Sequence, residues 1–152
     1  MSGRTDQAGR SQATQPALLG RAVASEEYGQ LDTFPADPVQ TLVELTGDEL
    51  TALCPAVAAL QPDLYRWTVR YRPNRVCIES KSLKLYLLTF RDERIFAEHL
   101  GARIARELAA VLDTEVTVRL TQSRRGGIET PTEAVAGPPS ATGPHGALPS
   151  GG

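Results

Sequence analysis

An apolar side chain recurs at every fourth position between residues 96 and 112, which is the spacing of one face of an α-helix. The repeat consists of Phe96, Leu100, Ile104, Leu108 and Leu112. Charged side chains, including Arg103 and Glu107, fall on the opposite side. A helix with a single apolar face has to bury that face against another element, so this segment predicts a layered fold.

Three other segments alternate apolar and polar residues as half-buried strands do. They are residues 41–54, 66–72 and 115–122. Within the first segment, Gly47-Asp48 predicts a turn that breaks the strand. The hairpin dipeptide Gly126-Gly127, after Arg124-Arg125, predicts a turn into a last strand, although a phosphate-binding loop is an alternative.

Residues 80–90 fit neither the helical nor the strand period, but their length and a possible N-cap at Ser80 favour a helix. The predicted order is therefore strand, strand, helix, helix, strand, strand. This order indicates an α+β fold with an antiparallel four-stranded sheet and both helices on one face.

Composition excludes several functional classes. The chain has 152 residues and a formal net charge of -2, which argues against a dedicated nucleic-acid binder. No apolar run is long enough to span a membrane, and the N-terminus has no secretory signal, so we expect a cytoplasmic protein. Two cysteines and two histidines are too few for a metal cluster, and we expect none.

Both ends of the chain are predicted to be disordered. Residues 1–17 are small and polar, and residues 132–152 are rich in Pro, Gly and Ser. The folded domain is therefore predicted to span residues 18–131. Its small core and open strand edges favour association into a homo-oligomer.

Two acidic or nucleophilic side chains lie at the ends of predicted strands. Cys54 ends the first strand and Asp63 begins the second, an arrangement suited to a nucleophile with a nearby acid. On spacing alone, a buried structural cysteine and a turn aspartate are the commoner interpretation. Cys77 lies between Val76 and Ile78 and is predicted to be part of the core.

Two lysines and a glutamate mark the predicted helices. Lys81 and Lys84 are three residues apart and would share a helix face that binds phosphate, although a solvated face is commoner. Glu98 lies in the first turn of its helix, where a carboxylate is favourable even without a function.

The run Glu79–Tyr86, ESKSLKLY, closely resembles the signature of the QueF nitrile reductases, which reduce 7-cyano-7-deazaguanine to its aminomethyl product with NADPH. Further segments resemble the family in the same order, and together they cover nearly all of residues 18–130: 31–35, 46–55, 61–63, 90–91, 96–98 and 124–128. The resemblance implies the tunnelling fold, whose subunits close into an oligomeric barrel of stacked pentameric rings.

The resemblance also implies a role for each matching residue. Cys54 matches the nucleophile that adds to the nitrile carbon to give a thioimidate, and Asp63 matches the acid that protonates the nitrogen. Glu98 matches the glutamate that accepts hydrogen bonds from the purine-like edge. The other implied substrate positions are Ile78, Glu79, Ser80 and Ala97. The positions tied to NADPH are Lys81, Ser82, Lys84 and Tyr86.

Two features depart from the family pattern. Asp63 follows Cys54 by nine residues where the family has seven, and Val57 stands at the family threonine. Ala97 stands where the family has a histidine that helps to position the substrate and its protons.

Three hypotheses follow. The first is a nitrile reductase of queuosine tRNA modification or of a 7-deazapurine pathway. The second is a divergent enzyme that uses the thioimidate to form an amidine, and the intact run 79–86 counts against it. The third is a non-catalytic binder of a purine-like ligand, which would not need to retain Cys54, Asp63 and Glu98 together.

Overall fold

The structure is a computed structural model that describes residues 29–139. Six strands, two helices and one 3-10 turn follow each other along these residues. In chain order they are β1 (Thr33–Pro35), β2 (Val43–Leu53), β3 (Pro62–Tyr71), β4 (Val76–Ile78), α1 (Ser80–Leu88), the 3-10 turn (Thr89–Asp92), α2 (Ala97–Leu112), β5 (Val116–Arg125) and β6 (Ile128–Ala136).

Four of the strands form one antiparallel sheet, as the sequence predicted, and their order within it is β2-β3-β5-β6. The short strands β1 and β4 pair separately. They were not predicted, because three residues are too few to show an alternating pattern. The predicted α+β fold is confirmed, and β2 and β6 are the two edges of the larger sheet.

The core lies between one face of this sheet and the two helices. Alternate residues of β3, among them Tyr65, Val69 and Tyr71, are buried together with the period-four residues of α2. Cys77 is also buried, as predicted. The opposite face of the sheet carries polar and charged side chains, among them Arg66, Thr68, Arg70, Thr117 and Arg119.

The turn predicted at Gly47-Asp48 is instead a bulge within a continuous strand. The pairing with β3 shifts by one residue between Gly47 and Leu50. A Cβ on residue 47 would lie 2.6 Å from the Trp67 indole, so only glycine fits here. A bulge keeps the strand in the sheet while it re-aims the following residues.

The two helices differ in whether a side chain caps their N-terminus. Glu79, not the predicted Ser80, caps α1, because its carboxylate accepts hydrogen bonds from the backbone N–H groups of Lys81 and Ser82, both at 2.7 Å. Phe96 occupies the N-cap position of α2 without a side-chain hydrogen bond.

The last two strands form the predicted hairpin. Gly126 and Gly127 have φ of 55° and 81°, which glycine adopts without steric cost.

Strand β6 continues to Ala136, beyond the domain boundary predicted at 131, because its pairing with β5 extends to Val116. The predicted N-terminal tail and most of the C-terminal one lie outside the described residues. Within residues 29–139, no helix is long and apolar enough to cross a membrane.

Candidate active site

Cys54 and Asp63 lie at the same end of the β2–β3 hairpin. The Cys54 N–H donates to the Gln61 carbonyl at 3.1 Å, and Ala52 pairs with Asp63 across the two strands. The connection between them is therefore a closed loop, and the strand pairing continues up to Leu53 and Pro62 on its two sides. Cys54 is half-buried and Asp63 is buried.

Arg94 holds this loop from the neighbouring segment. Its guanidinium donates to the carbonyls of Cys54 at 3.1 Å, Val57 at 2.8 Å and Ala58 at 3.3 Å. The backbone around Arg94 also pairs with Leu53 at the end of β2. The same segment leads directly into α2, so the loop after Cys54 and the start of the helix are fixed to each other.

Tyr65 is a buried residue on which the charges of the three predicted reaction residues act. Its side chain is 1% exposed. Burial raises the pKa of its hydroxyl well above the ordinary value, and the negative charges of Asp63, Glu98 and Cys54 raise that pKa further. Cys54, Asp63 and Glu98 thus all lie near enough for their charges to act on one phenol. Tyr65 comes two residues after Asp63 on the same face of β3.

An arginine from the last hairpin completes the surroundings of the acid. The Arg125 Nε lies 3.8 Å from Asp63 Oδ1, and the same guanidinium donates to the Pro62 carbonyl. The Arg125 side chain is 44% exposed, whereas that of Asp63 is 6% exposed. The partly exposed cation therefore lies beside the buried carboxylate and attracts it.

The second group of predicted residues lies at the junction of β4 and α1. Ile78 and Glu79 are buried, and both carboxylate oxygens of Glu79 accept backbone hydrogen bonds of α1. Ser80, by contrast, is exposed. This group occupies different elements from those that carry Cys54, Asp63 and Glu98.

The positions implied for NADPH separate by helix face. Ser82 and Tyr86 point inward: the Ser82 hydroxyl bonds to the Asp32 N–H and the Glu79 carbonyl, and the Tyr86 hydroxyl donates to Glu107. Lys84 points outward and lies 3.9 Å from Glu49, with 65% of its side chain exposed. Lys81 is partly exposed. The lysines are therefore the members of this set that a cofactor phosphate can reach.

Sequence reasoning missed Tyr65 and Arg94, and it placed Arg125 only in a turn. Tyr65 carries a local signal, because it shares the face of Asp63 two residues earlier in the strand. The contacts of Arg94 and Arg125 reach loops far away in the sequence, and no local pattern indicates them. Within residues 29–139, no group of three or more His, Cys, Asp or Glu side chains is placed to hold a metal ion.

The sequence model of the QueF-like protein family matches residues 62–140, which is more than half of the chain. The chain belongs to the QueF-like family. Among curated relatives of this QueF-like chain, the NADPH-dependent 7-cyano-7-deazaguanine reductase of Frankia casuarinae is 42% identical over 99 residues, which are 64% of this chain and 78% of the relative. The enzyme of the same name from Nitrosomonas europaea is 43% identical over 106 residues, 66% of this chain and 73% of its own.

A solved structure shares the fold. The apo archaeosine synthase QueF-Like superposes with a TM-score of 0.58 at 22% sequence identity, over 64% of this chain and 94% of that protein. At this identity the likeness concerns the fold alone, and it agrees with the predicted tunnelling fold.

Proposed function

We propose that this chain is an NADPH-dependent nitrile reductase that converts 7-cyano-7-deazaguanine to 7-aminomethyl-7-deazaguanine. The observation that carries the proposal is that Cys54 and Asp63 lie at the same end of the β2–β3 hairpin and that both, with Glu98, act through their charge on the buried Tyr65. The curated relatives of the family bear the name of this activity. A binder of a purine-like ligand would need the glutamate but not the thiol and the buried acid.

Cys54 begins the reaction in this proposal. Its sulfur forms a bond to the nitrile carbon, and one π-electron pair of the nitrile moves to the nitrogen. The thiol proton passes through Asp63 to that nitrogen, so the product is a neutral thioimidate. Covalent addition divides a difficult reduction into easier steps.

Asp63 and Glu98 have separate tasks. Asp63 is buried next to Cys54 and moves protons between the sulfur and the nitrogen, while Arg125 keeps its carboxylate in position. Glu98 is exposed at the start of α2, where its carboxylate can accept hydrogen bonds from the ring N–H and amino group of the heterocycle.

The outward face of α1 fits the cofactor. Lys81 and Lys84 present two cationic side chains one turn apart, which suits the phosphates of NADPH. When bound, NADPH supplies hydride to the former nitrile carbon, two equivalents for the whole four-electron reduction. The Cys54 sulfur leaves after the first reduction and is regenerated as a thiol, and two further protons complete the amine.

We also propose that the active form is a homo-oligomer and that it acts in the cytoplasm. Within residues 29–139, no strand pairs with the outer side of β6, and the outer side of β2 is paired only at Leu53. Open edges favour pairing with another copy. Phe34, Leu64 and Phe96 each expose nearly half of their surface, which a neighbouring subunit would cover. Assembly would bring Glu79 and Ser80 of one subunit to the Cys54 site of another.

The test uses the purified full-length chain with 7-cyano-7-deazaguanine and NADPH. The thioimidate absorbance band reports adduct formation, and the NADPH band reports reduction. We expect the adduct without NADPH, and two NADPH consumed per nitrile when both are present. An adduct that ammonia releases as an amidine, with no NADPH oxidation, would instead indicate the amidine-forming activity.

A further inference from the structure

The Tyr65 hydroxyl is the single buried side-chain oxygen or nitrogen within residues 29–139 that has no hydrogen-bond partner. The three other groups that the structure gathers around it, Asp63, Glu98 and Cys54, act on it through their charge and not through a hydrogen bond. A buried polar group without a partner lowers stability, and phenylalanine would fill the same space without that cost. The hydroxyl therefore points to a partner that is not part of the folded chain.

The position of Tyr65 indicates what this partner is. Tyr65 follows Asp63 by two residues on the inward face of β3, and the two residues are 1% and 4% exposed. Cys54 follows β2 and Glu98 lies in the first turn of α2, and both are near enough for their charges to act on the phenol. The neighbouring position in the first turn of α2 is Ala97, which is buried and offers no donor.

We propose that Tyr65 is a catalytic residue whose hydroxyl donates a hydrogen bond to the nitrile nitrogen of the bound substrate. The proposal rests on the proposed function. When Cys54 adds to the nitrile carbon, negative charge develops on the nitrogen. The Tyr65 O–H stabilises that charge without transferring its proton, and Asp63 supplies the proton that stays on the nitrogen.

The electrostatic surroundings suit a donor of this kind. Burial and the nearby negative charges raise the pKa of the hydroxyl, so Tyr65 remains protonated throughout the working range of the enzyme. Asp63, Glu98 and the Cys54 thiolate all accept hydrogen bonds when ionised. Tyr65 thus supplies an uncharged hydroxyl donor beside carboxylates and a thiol that act as acceptors when ionised.

The test is Tyr65→Phe in the full-length protein, which removes the hydroxyl and keeps the ring. We expect single-turnover NADPH oxidation to fall about 100-fold, the size of effect seen when one preorganised donor is lost. Thermal unfolding should occur at the same temperature or higher, because an unpartnered buried hydroxyl has been removed. Tyr71→Phe is the matched contrast for stability, because the Tyr71 hydroxyl accepts from the Ile78 N–H at 2.9 Å and its loss should lower the unfolding temperature.

Each other outcome overturns the proposal. A Tyr65→Phe protein that reduces the nitrile at the unmodified rate would show that the hydroxyl does not act in the reaction. A loss of rate that accompanies a lower unfolding temperature would show a structural role. If the unmodified protein forms no adduct and oxidises no NADPH with the nitrile, the proposed function fails as well, and that result is distinct because it does not involve the variant.

Discussion

At the scale of single residues, the two cysteines differ in their surroundings. Cys54 is half-buried at a loop, whereas Cys77 is buried in β4 opposite Phe34. A thiol closed into the core cannot meet a substrate, so only Cys54 is placed as a nucleophile.

We therefore expect Cys54→Ala to abolish the thioimidate absorbance and all NADPH oxidation. Cys77→Ala should retain the adduct, with some loss of stability because a buried side chain is made smaller. Mass spectrometry of protein mixed with the nitrile measures the adduct directly. An adduct on the Cys54→Ala protein would contradict the assignment.

The buried tyrosines give a second residue-scale prediction. Burial raises the pKa of Tyr71 to about 12, and burial likewise raises the pKa values of Tyr65 and Tyr86. In the unfolded chain these phenols ionise near pH 10. Because the folded state holds the proton more tightly, the stability linked to it is complete below about pH 10 and is lost as the pH rises towards 12.

The free energy of unfolding should thus fall steeply between about pH 10 and 12. Urea unfolding at a series of pH values measures this decline. Tyr71→Phe should make the decline shallower, because one raised pKa has been removed. An equally steep decline in that variant would show that Tyr71 does not contribute.

The sequence predicted some residues of the site and missed others. Cys54, Asp63 and Glu98 were predicted from a resemblance, and their roles stay predictions; in the structure the charges of all three act on Tyr65. Tyr65 was assigned no role, because its meaning depends on neighbours from two other elements. Ser82 and Tyr86 were predicted as cofactor contacts but face inward, since positions 82 and 86 lie on the buried side of α1.

At the scale of elements, the segment before α2 controls the loop after β2. Three backbone carbonyls of the loop share the Arg94 guanidinium. Loop-closure entropy grows only with the logarithm of length, so two additional residues cost about 0.2 kcal/mol. The longer connection between Cys54 and Asp63 is therefore compatible with a fixed nucleophile.

Arg94→Ala should release the loop and slow adduct formation by about 10- to 100-fold, because a misplacement of about 1 Å has that effect on a reacting group. Stopped-flow absorbance of the thioimidate measures the rate. Arg91→Ala is the matched control, since Arg91 pairs with its sequence neighbour Asp92 at the exposed surface. Equal rates of adduct formation in both variants would show that Arg94 does not contribute to the reaction.

The elements themselves were largely predictable. The period of α2 and the alternation in β3 and β5 are properties of many residues at once, and the structure confirms them. The bulge in β2 was mistaken for a turn, because Gly47-Asp48 has turn composition and only the contact with Trp67 explains the glycine. The cap of α1 shifted by one residue because Glu79 reaches two N–H groups.

At the scale of the whole molecule, the C-terminal limit of the domain is testable. A chain that ends at residue 131 loses the half of β6 that pairs with β5 between Val116 and Leu120. We expect that chain to unfold at a markedly lower temperature, because an inner strand becomes an edge. A chain that ends at residue 139 should unfold at the same temperature as the full-length protein. Equal losses of stability in both shortened chains would contradict the expected limit. Differential scanning calorimetry compares the three.

Oligomer size is a separate prediction at this scale. Light scattering of the full-length chain at micromolar concentration should give a mass several times that of one chain, as expected for rings of subunits joined through β2 and β6. A charged substitution at an exposed apolar position, Leu64→Glu, should reduce that mass. Monomers that retain full activity would contradict the assembly.

The ion pair between Arg125 and Asp63 has a consequence for the order of folding. Asp63 and Arg125 are 62 residues apart in the chain, and Cys54 and Glu98 lie on two further elements. Contacts between distant residues form late, because the chain entropy of a long loop has to be overcome first. The contact between Asp63 and Arg125 therefore forms only after β5 has docked on β3, later than the β2–β3 hairpin that places Asp63 opposite Ala52. A nascent chain that still lacks its last hairpin holds Asp63 without its cationic neighbour.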